Sequence, residues 1–166
     1  MDENCFLSWT FLVRRLPPYF RNVGKRLTKS PKIYLRDTGL LHHLLNITTH
    51  ADLDSHPIRG ASWETFVIED LLRRERLRHP HSQAFFWRTT AGAEVDLVID
   101  RESERFAVEV KCGRAGQPGL SRAVEQVAEE IGAKRAWIVD QAEGTEPLRT
   151  NVERRGMGYS LEWLPG

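Results

Sequence analysis

The chain has 166 residues, 40% of them hydrophobic and 28% charged, with a formal net charge of +1. That length suits one domain with a short extension, and the composition is that of an ordinary globular protein. It excludes a low-complexity chain and a globally polycationic nucleic-acid binder, and no apolar run approaches the ~20 residues of a membrane-spanning helix. The opening carries Asp2 and Glu3 in place of the basic start of a secretory signal. Cys5 and Cys112 form no C-x-x-C unit, which points to a reduced, cytoplasmic setting.

The N-terminal region, residues 1–50, reads as an extension. It holds eight Lys and Arg against three acids, and this surplus reads as a solvated face. Residues 5–16 are unusually apolar, with Leu7, Trp9, Phe11 and Val13 alternating; 11–16 reads as a strand that Pro17-Pro18 stops. A chain start so rich in apolar side chains suggests an interface, with a preceding domain or with another subunit through residues 5–16, the alternative being a strand added to its own domain. Residues 19–30 read as loop or hairpin and 32–37 as a strand. Asp37 or Thr38 caps a helix to about Leu45, with Leu40, Leu41, Leu44 and Leu45 as its buried side.

From residue 51 to 166 the pattern is that of an α/β domain. Residues 46–59 form a polar connection. A helix begins near Ser62 and ends at His79-Pro80, its core face being Trp63, Phe66, Val67 and Leu71. Glu64 lies at the edge of that apolar stripe, where a carboxylate needs a partner, either Arg or a metal ion. The tail RRERLR reads as a solvated basic run. Residues 84–90, 92–100 and 106–113 read as three strands, the last two joined by the charged turn Arg101–Arg105. Gly113–Gly119 is a loop without the pattern of a nucleotide cradle. Leu120, Val124, Val127 and Ile131 mark an amphipathic helix ending at Gly132, and 136–140 is a buried strand parallel to the earlier ones. Residues 141–158 read as loop or a short helix, and 159–164 as a last strand.

The chemistry concentrates on the hairpin. Alternation puts Glu109 and Lys111 on one face of their strand, and Asp96 with Glu94 and Val98 on one face of theirs, with Val95, Leu97 and Ile99 opposite. Asp96 then lies beside Glu109 and Lys111. Two adjacent carboxylates repel unless a cation sits between them, and hard divalent ions take such oxygens while keeping waters for a phosphate. A neighbouring lysine can hold a phosphate oxygen or orient the attacking water. The alternative is a solvated hairpin whose carboxylates pair with Arg or Lys. The six histidines form no helical H-x-x-x-H pair, and Ser121 has no adjacent base.

Asp96 followed by Glu109-x-Lys111 resembles the PD-(D/E)xK signature of the restriction-endonuclease-like superfamily. The order helix, three strands, helix, strand from Ser62 onward is similar to that superfamily's core, and Glu64, Asp96 and Glu109-x-Lys111 fall at its motif positions. Val95 stands where the signature has Pro, and Gln126 matches only weakly a substrate-binding Gln of some relatives. Residues 14–45, then GASWETFVIEDLL at 60–72, GAEVDLVID and FAVEVK, resemble the domain of unknown function that follows the ATPase core in many prokaryotic AAA-type ATPases. The resemblance implies a mixed sheet flanked by helices, with residues 1–50 as the link to an ATPase domain or subunit. The leading expectation, from the resemblance to the PD-(D/E)xK signature, is hydrolysis of nucleic-acid phosphodiesters, with Asp96 and Glu109 holding Mg²⁺ or Mn²⁺, Glu64 completing or orienting the site, and Lys111 positioning water or stabilising phosphorane charge. The other expectation is a non-catalytic module that binds nucleic acid or protein for that ATPase.

Overall fold

A 20-residue helix is the longest element among the described residues, and local chemistry sets its C-terminal end. The computed structural model describes residues 11–20, 30–89 and 94–158. In chain order these hold β1 (Val13–Leu16), β2 (Lys32–Leu35), α1 (Thr38–Leu44), α2 (His50–Ser55), α3 (Arg59–Arg78), β3 (Gln83–Arg88), β4 (Glu94–Asp100), β5 (Arg105–Val110), α4 (Leu120–Ile131), β6 (Arg135–Asp140), β7 (Thr145–Pro147) and β8 (Val152–Gly156). The long helix is α3. It stops at His79, before Pro80, whose ring bars continuation of a helix. Expectations for the apolar residues 5–10, for 21–29 and for the strand 159–164 lie outside the described residues.

Six strands form one mixed sheet in the order β3-β4-β5-β6-β8-β7. β4 pairs antiparallel with both β3 and β5, β6 pairs in parallel with both β5 and β8, and β7 closes the edge antiparallel to β8. The parallel step from β5 to β6 needs a crossover, which α4 supplies. The sheet has helices on both faces. On one, Val67, Ile68, Leu71 and Leu72 of α3 pack on Leu97, Ile99, Phe106, Val108 and Trp137. On the other, Val124, Val127 and Ile131 of α4 pack on Val98, Ala107 and Ile138. Each aliphatic side chain so buried contributes about 1.5–3 kcal/mol relative to exposure. α4 ends as the sequence predicts: Gly132 adopts φ 70°, the left-handed conformation glycine takes at least cost, and its N–H reaches back to Ala128 and Glu129.

β1 and β2 form a separate antiparallel pair. Arg14 and Arg36 both bind the buried Glu69 of α3, and Phe86 exchanges backbone hydrogen bonds with Pro17 and Tyr19. The basic residues of this region are therefore not all a solvated face.

Other expectations need correction. None of the leucines of α1 is buried; Leu44 and Leu45 are exposed. The face of α3 is rotated: Ile68 and Leu72 are buried and Phe66 is half exposed. The tail of α3 is not simply solvated, because Glu75 is fully buried and grips Arg101 of the β4–β5 turn through two 2.8 Å hydrogen bonds. Residues 46–59 contain α2, which Thr49 and Asp52 start with a capping box. Residues 141–158 supply two strands instead of a loop or helix.

A carboxylate and lysine cluster as candidate active site

The site begins with a break in alternation. Phe85 pairs with Val98 and Trp87 with Val95, so Phe86 alone stands against both Asp96 and Leu97. This is a β-bulge in β4, the device that re-aims one side chain out of a regular strand. Its consequence corrects the predicted faces: Val95 joins Val98 on the α4 side, while Leu97 and Ile99 point to α3. Asp96 is the residue re-aimed. It leaves the ladder just where the β4–β5 pairing ends at Leu97 opposite Val108. Its Oδ2 accepts the Val110 backbone N–H at 3.0 Å.

All four predicted site residues line one cavity of about 800 Å³ at the carboxyl end of β5. That is where open α/β sheets place their ligands. Asp96 and Glu109 are 7% and 6% exposed. Lys111 donates to Glu109 Oε1 at 2.6 Å. Glu109 Oε2 is buried and has no hydrogen-bond partner among the described residues. Burial, followed by the charge of Asp96, pushes the Glu109 carboxyl up to about 8. The lysine gains correspondingly: burial lowers its ammonium, but Glu109 and the other carboxylates outweigh that and hold it above its usual value.

The residue that sequence reasoning missed is Lys32, the first residue of β2. Its Nζ lies 2.9 Å from Asp96 Oδ1, 2.7 Å from Glu94 Oε1 and 3.3 Å from Glu64 Oε1. Lys32 and Glu64 are 32 positions apart and Lys32 and Asp96 are 64 apart, so only the fold brings them together. Burial opposes its charge, yet Asp96, Glu94 and Glu64 more than compensate and raise its pKa. Tyr34, also on β2, donates to Glu64 Oε1 at 2.7 Å. Burial and the adjacent Glu64 raise the phenol, which therefore stays a donor. Glu64 is itself raised, first by burial and then by Asp96. Its partners are thus a lysine and a tyrosine, where the sequence suggested Arg or a metal. Glu94 is held by Lys32 and by Arg88, whose Nε donates at 2.7 Å, and these bonds outweigh burial to lower its pKa. Gln126 is exposed and does not line the cavity.

The cluster therefore sets four carboxylates, Glu64, Glu94, Asp96 and Glu109, against the ammonium groups of Lys32 and Lys111, with Arg88 at the rim. Burial first, and then the charge of Asp96, is what raises the Glu109 carboxyl in this cluster. Among the described residues no three His, Cys, Asp or Glu side chains are arranged to hold a metal ion together. The donor set fits a hard cation in a narrower way. Two buried carboxylates, one with an unpartnered oxygen, are what Mg²⁺ uses when water and substrate phosphate complete its shell.

Comparison with known proteins places this cluster in a family. A domain of unknown function, DUF4143, matches residues 59–154, which runs from the first residue of α3 to β8. The chain belongs to the DUF4143 family. A second domain of unknown function, DUF8612, matches residues 5–51. Uncharacterized protein Rv2008c of Mycobacterium tuberculosis and uncharacterized protein Mb2031c of Mycobacterium bovis are each 40% identical over 146 residues. That alignment covers 88% of this chain and 32% of each relative, so the chain spans about a third of the length of the curated relatives it matches. No solved structure matches the chain. The DUF4143 match contains Glu64, Asp96, Glu109 and Lys111, while Lys32 and Tyr34 fall within the DUF8612 match. Among the described residues of this DUF4143 protein no helix is long and apolar enough to cross a membrane.

Proposed function

We propose that the cavity is a cation-dependent phosphodiester hydrolase site acting on nucleic acid, with Asp96 and Glu109 as the cation ligands. One observation supports this most: a buried carboxylate with an unpartnered oxygen, Glu109 Oε2, lines a cavity beside a second carboxylate and a lysine. Leaving such an oxygen unsatisfied costs free energy that a ligand recovers. The element order α3, β3, β4, β5, α4, β6 supports a restriction-endonuclease-like core, in which Asp96 and Glu109-x-Lys111 would be the signature residues. The sequence resemblance supports attachment to a AAA-type ATPase.

A divalent ion held by Asp96 and Glu109 would polarise a phosphoryl oxygen and make a bound water more acidic. Glu109 binds it as the carboxylate, which requires loss of the proton that burial retains. Lys111, fixed by Glu109 Oε1, directs an ammonium toward the cavity, where it stabilises charge growing on the phosphoryl oxygens. Glu64, which pairs with Lys32 and lines the same cavity, would complete or orient the site. In the hydrolysis, water adds to phosphorus, the bond to one ester oxygen breaks, and that oxygen leaves with a proton.

The non-catalytic module remains a second reading, because Lys32 already neutralises Asp96 and Glu64 as a structural ion pair would. Incubation with single- and double-stranded DNA and RNA separates the two. The hydrolase reading expects cleavage in Mg²⁺ or Mn²⁺, none in EDTA, and loss of cleavage with retained cation binding in Lys111→Ala. Cation binding without cleavage of any substrate favours the module.

A further inference from the structure

We infer that Lys32 is a built-in counter-ion occupying the cation's place, so that its ammonium and a divalent cation exclude one another at Asp96 Oδ1. The inference rests on the cation site proposed above and goes beyond it.

The geometry of Asp96 carries the argument. Of its two oxygens, Oδ2 is committed to the Val110 N–H, which belongs to the backbone and cannot turn away. Oδ1 is the oxygen that no backbone group engages, and Lys32 Nζ stands 2.9 Å from it. The ammonium hydrogen-bonds Asp96 and Glu64 and forms an ion pair with Glu94. Besides these carboxylates, Lys32 Nζ lies 5.6 Å from the centroid of the Phe86 ring. The lysine comes from β2, which pairs with β1 apart from the six-stranded sheet, and its side chain remains about one-fifth exposed at the cavity. A lysine stem has four carbons and swings readily. On release from Asp96 the ammonium still has Glu94 and Glu64 within reach, so it need not become unpaired. Release thus exchanges one of three carboxylate contacts, while the entering cation gains Asp96 Oδ1 and the unpartnered Glu109 Oε2.

Two consequences separate this from a purely structural ion pair. Removing the ammonium should make cation binding stronger, whereas a lysine that merely braces the site should weaken binding when lost. A bound cation should also loosen Lys32 in the wild-type protein.

The test is calorimetric titration of Mn²⁺ into chelator-treated wild type, Lys32→Met and Asp96→Asn. We expect Lys32→Met to bind about tenfold tighter than wild type or more, the equivalent of one charge-assisted hydrogen bond no longer given up. Equal or weaker binding in Lys32→Met overturns the inference and leaves the cation site standing. Absence of binding in both proteins overturns the cation site itself. Because Lys32→Met takes the lysine counter-ion from Asp96 and Glu64 and leaves Glu94 only Arg88, a second measurement uses wild type alone. Amine-reactive labelling is quantified at Lys32 by peptide mass spectrometry, with the exposed Lys134 as internal reference. Mn²⁺ should raise labelling at Lys32 severalfold in wild type and leave it unchanged in Asp96→Asn. Labelling at Lys32 that Mn²⁺ does not alter overturns the inference.

Discussion

Glutamine at position 109 isolates the electrostatic core of the site. Glu109 is 6% exposed and its carboxyl is pushed up to about 8, first by burial and then by Asp96. In the unfolded chain it titrates near 4.5. Between those values the folded protein holds a proton that the unfolded chain has released, so stability falls as pH rises through this window. Integrating that one group gives a loss of about 4 kcal/mol between pH 5 and pH 9. Glu109→Gln has no such proton and keeps the same shape, and its amide oxygen still accepts from Lys111. Urea denaturation at pH 5, 6, 7, 8 and 9 in EDTA measures both proteins. The difference between them should grow in favour of the variant as pH rises, and other titrating groups largely cancel in that difference. Parallel pH profiles, or a wild type that gains stability on the variant as pH rises, would refute the assignment of Glu109 as a proton-holding acid.

Three further outcomes are expected. Arg101→Met leaves Glu75, fully buried, without its bidentate partner and should cost about 3–5 kcal/mol in denaturant unfolding; a loss under about 1 kcal/mol contradicts the pairing. Gly132→Ala forces a Cβ into the left-handed conformation at φ 70° and should cost about 1 kcal/mol, read as a lower midpoint with unchanged slope. Mn²⁺ titrations at pH 7 in buffers of differing ionisation enthalpy should show about one proton released per ion, because Glu109 is mostly protonated there before binding; buffer-independent heats contradict this.

How much of this was legible in the sequence depends on range. α4 was, down to Gly132, because period and glycine cap are both local signals. The hairpin was, with its turn residues, and so was the gathering of Glu64, Asp96, Glu109 and Lys111 at one cavity, because Asp96 and Glu109 sit in one strand pair, Lys111 directly follows it and Glu64 lies on one helix edge. The bulge at Asp96 was not: it exists only in the register between β3 and β4, and simple alternation mis-assigned Val95. Lys32 was hidden for a different reason. Among eight basic residues near the chain start nothing local distinguished it, and its partners lie far along the chain. One signal was present, since four acids facing a single lysine demand a further cation. Arg101 and Glu75 were missed likewise, as each sits in a charged run that reads as solvated until the fold joins them.

The central claim is that Asp96 and Glu109 form a cation site, and Mn²⁺ calorimetry on wild type and Asp96→Asn at pH 7 tests it most directly. The account predicts saturable binding of one ion per chain in wild type and none in Asp96→Asn, with circular dichroism showing both proteins folded. Equal binding by the two proteins, or no binding by wild type at millimolar Mn²⁺, would contradict it.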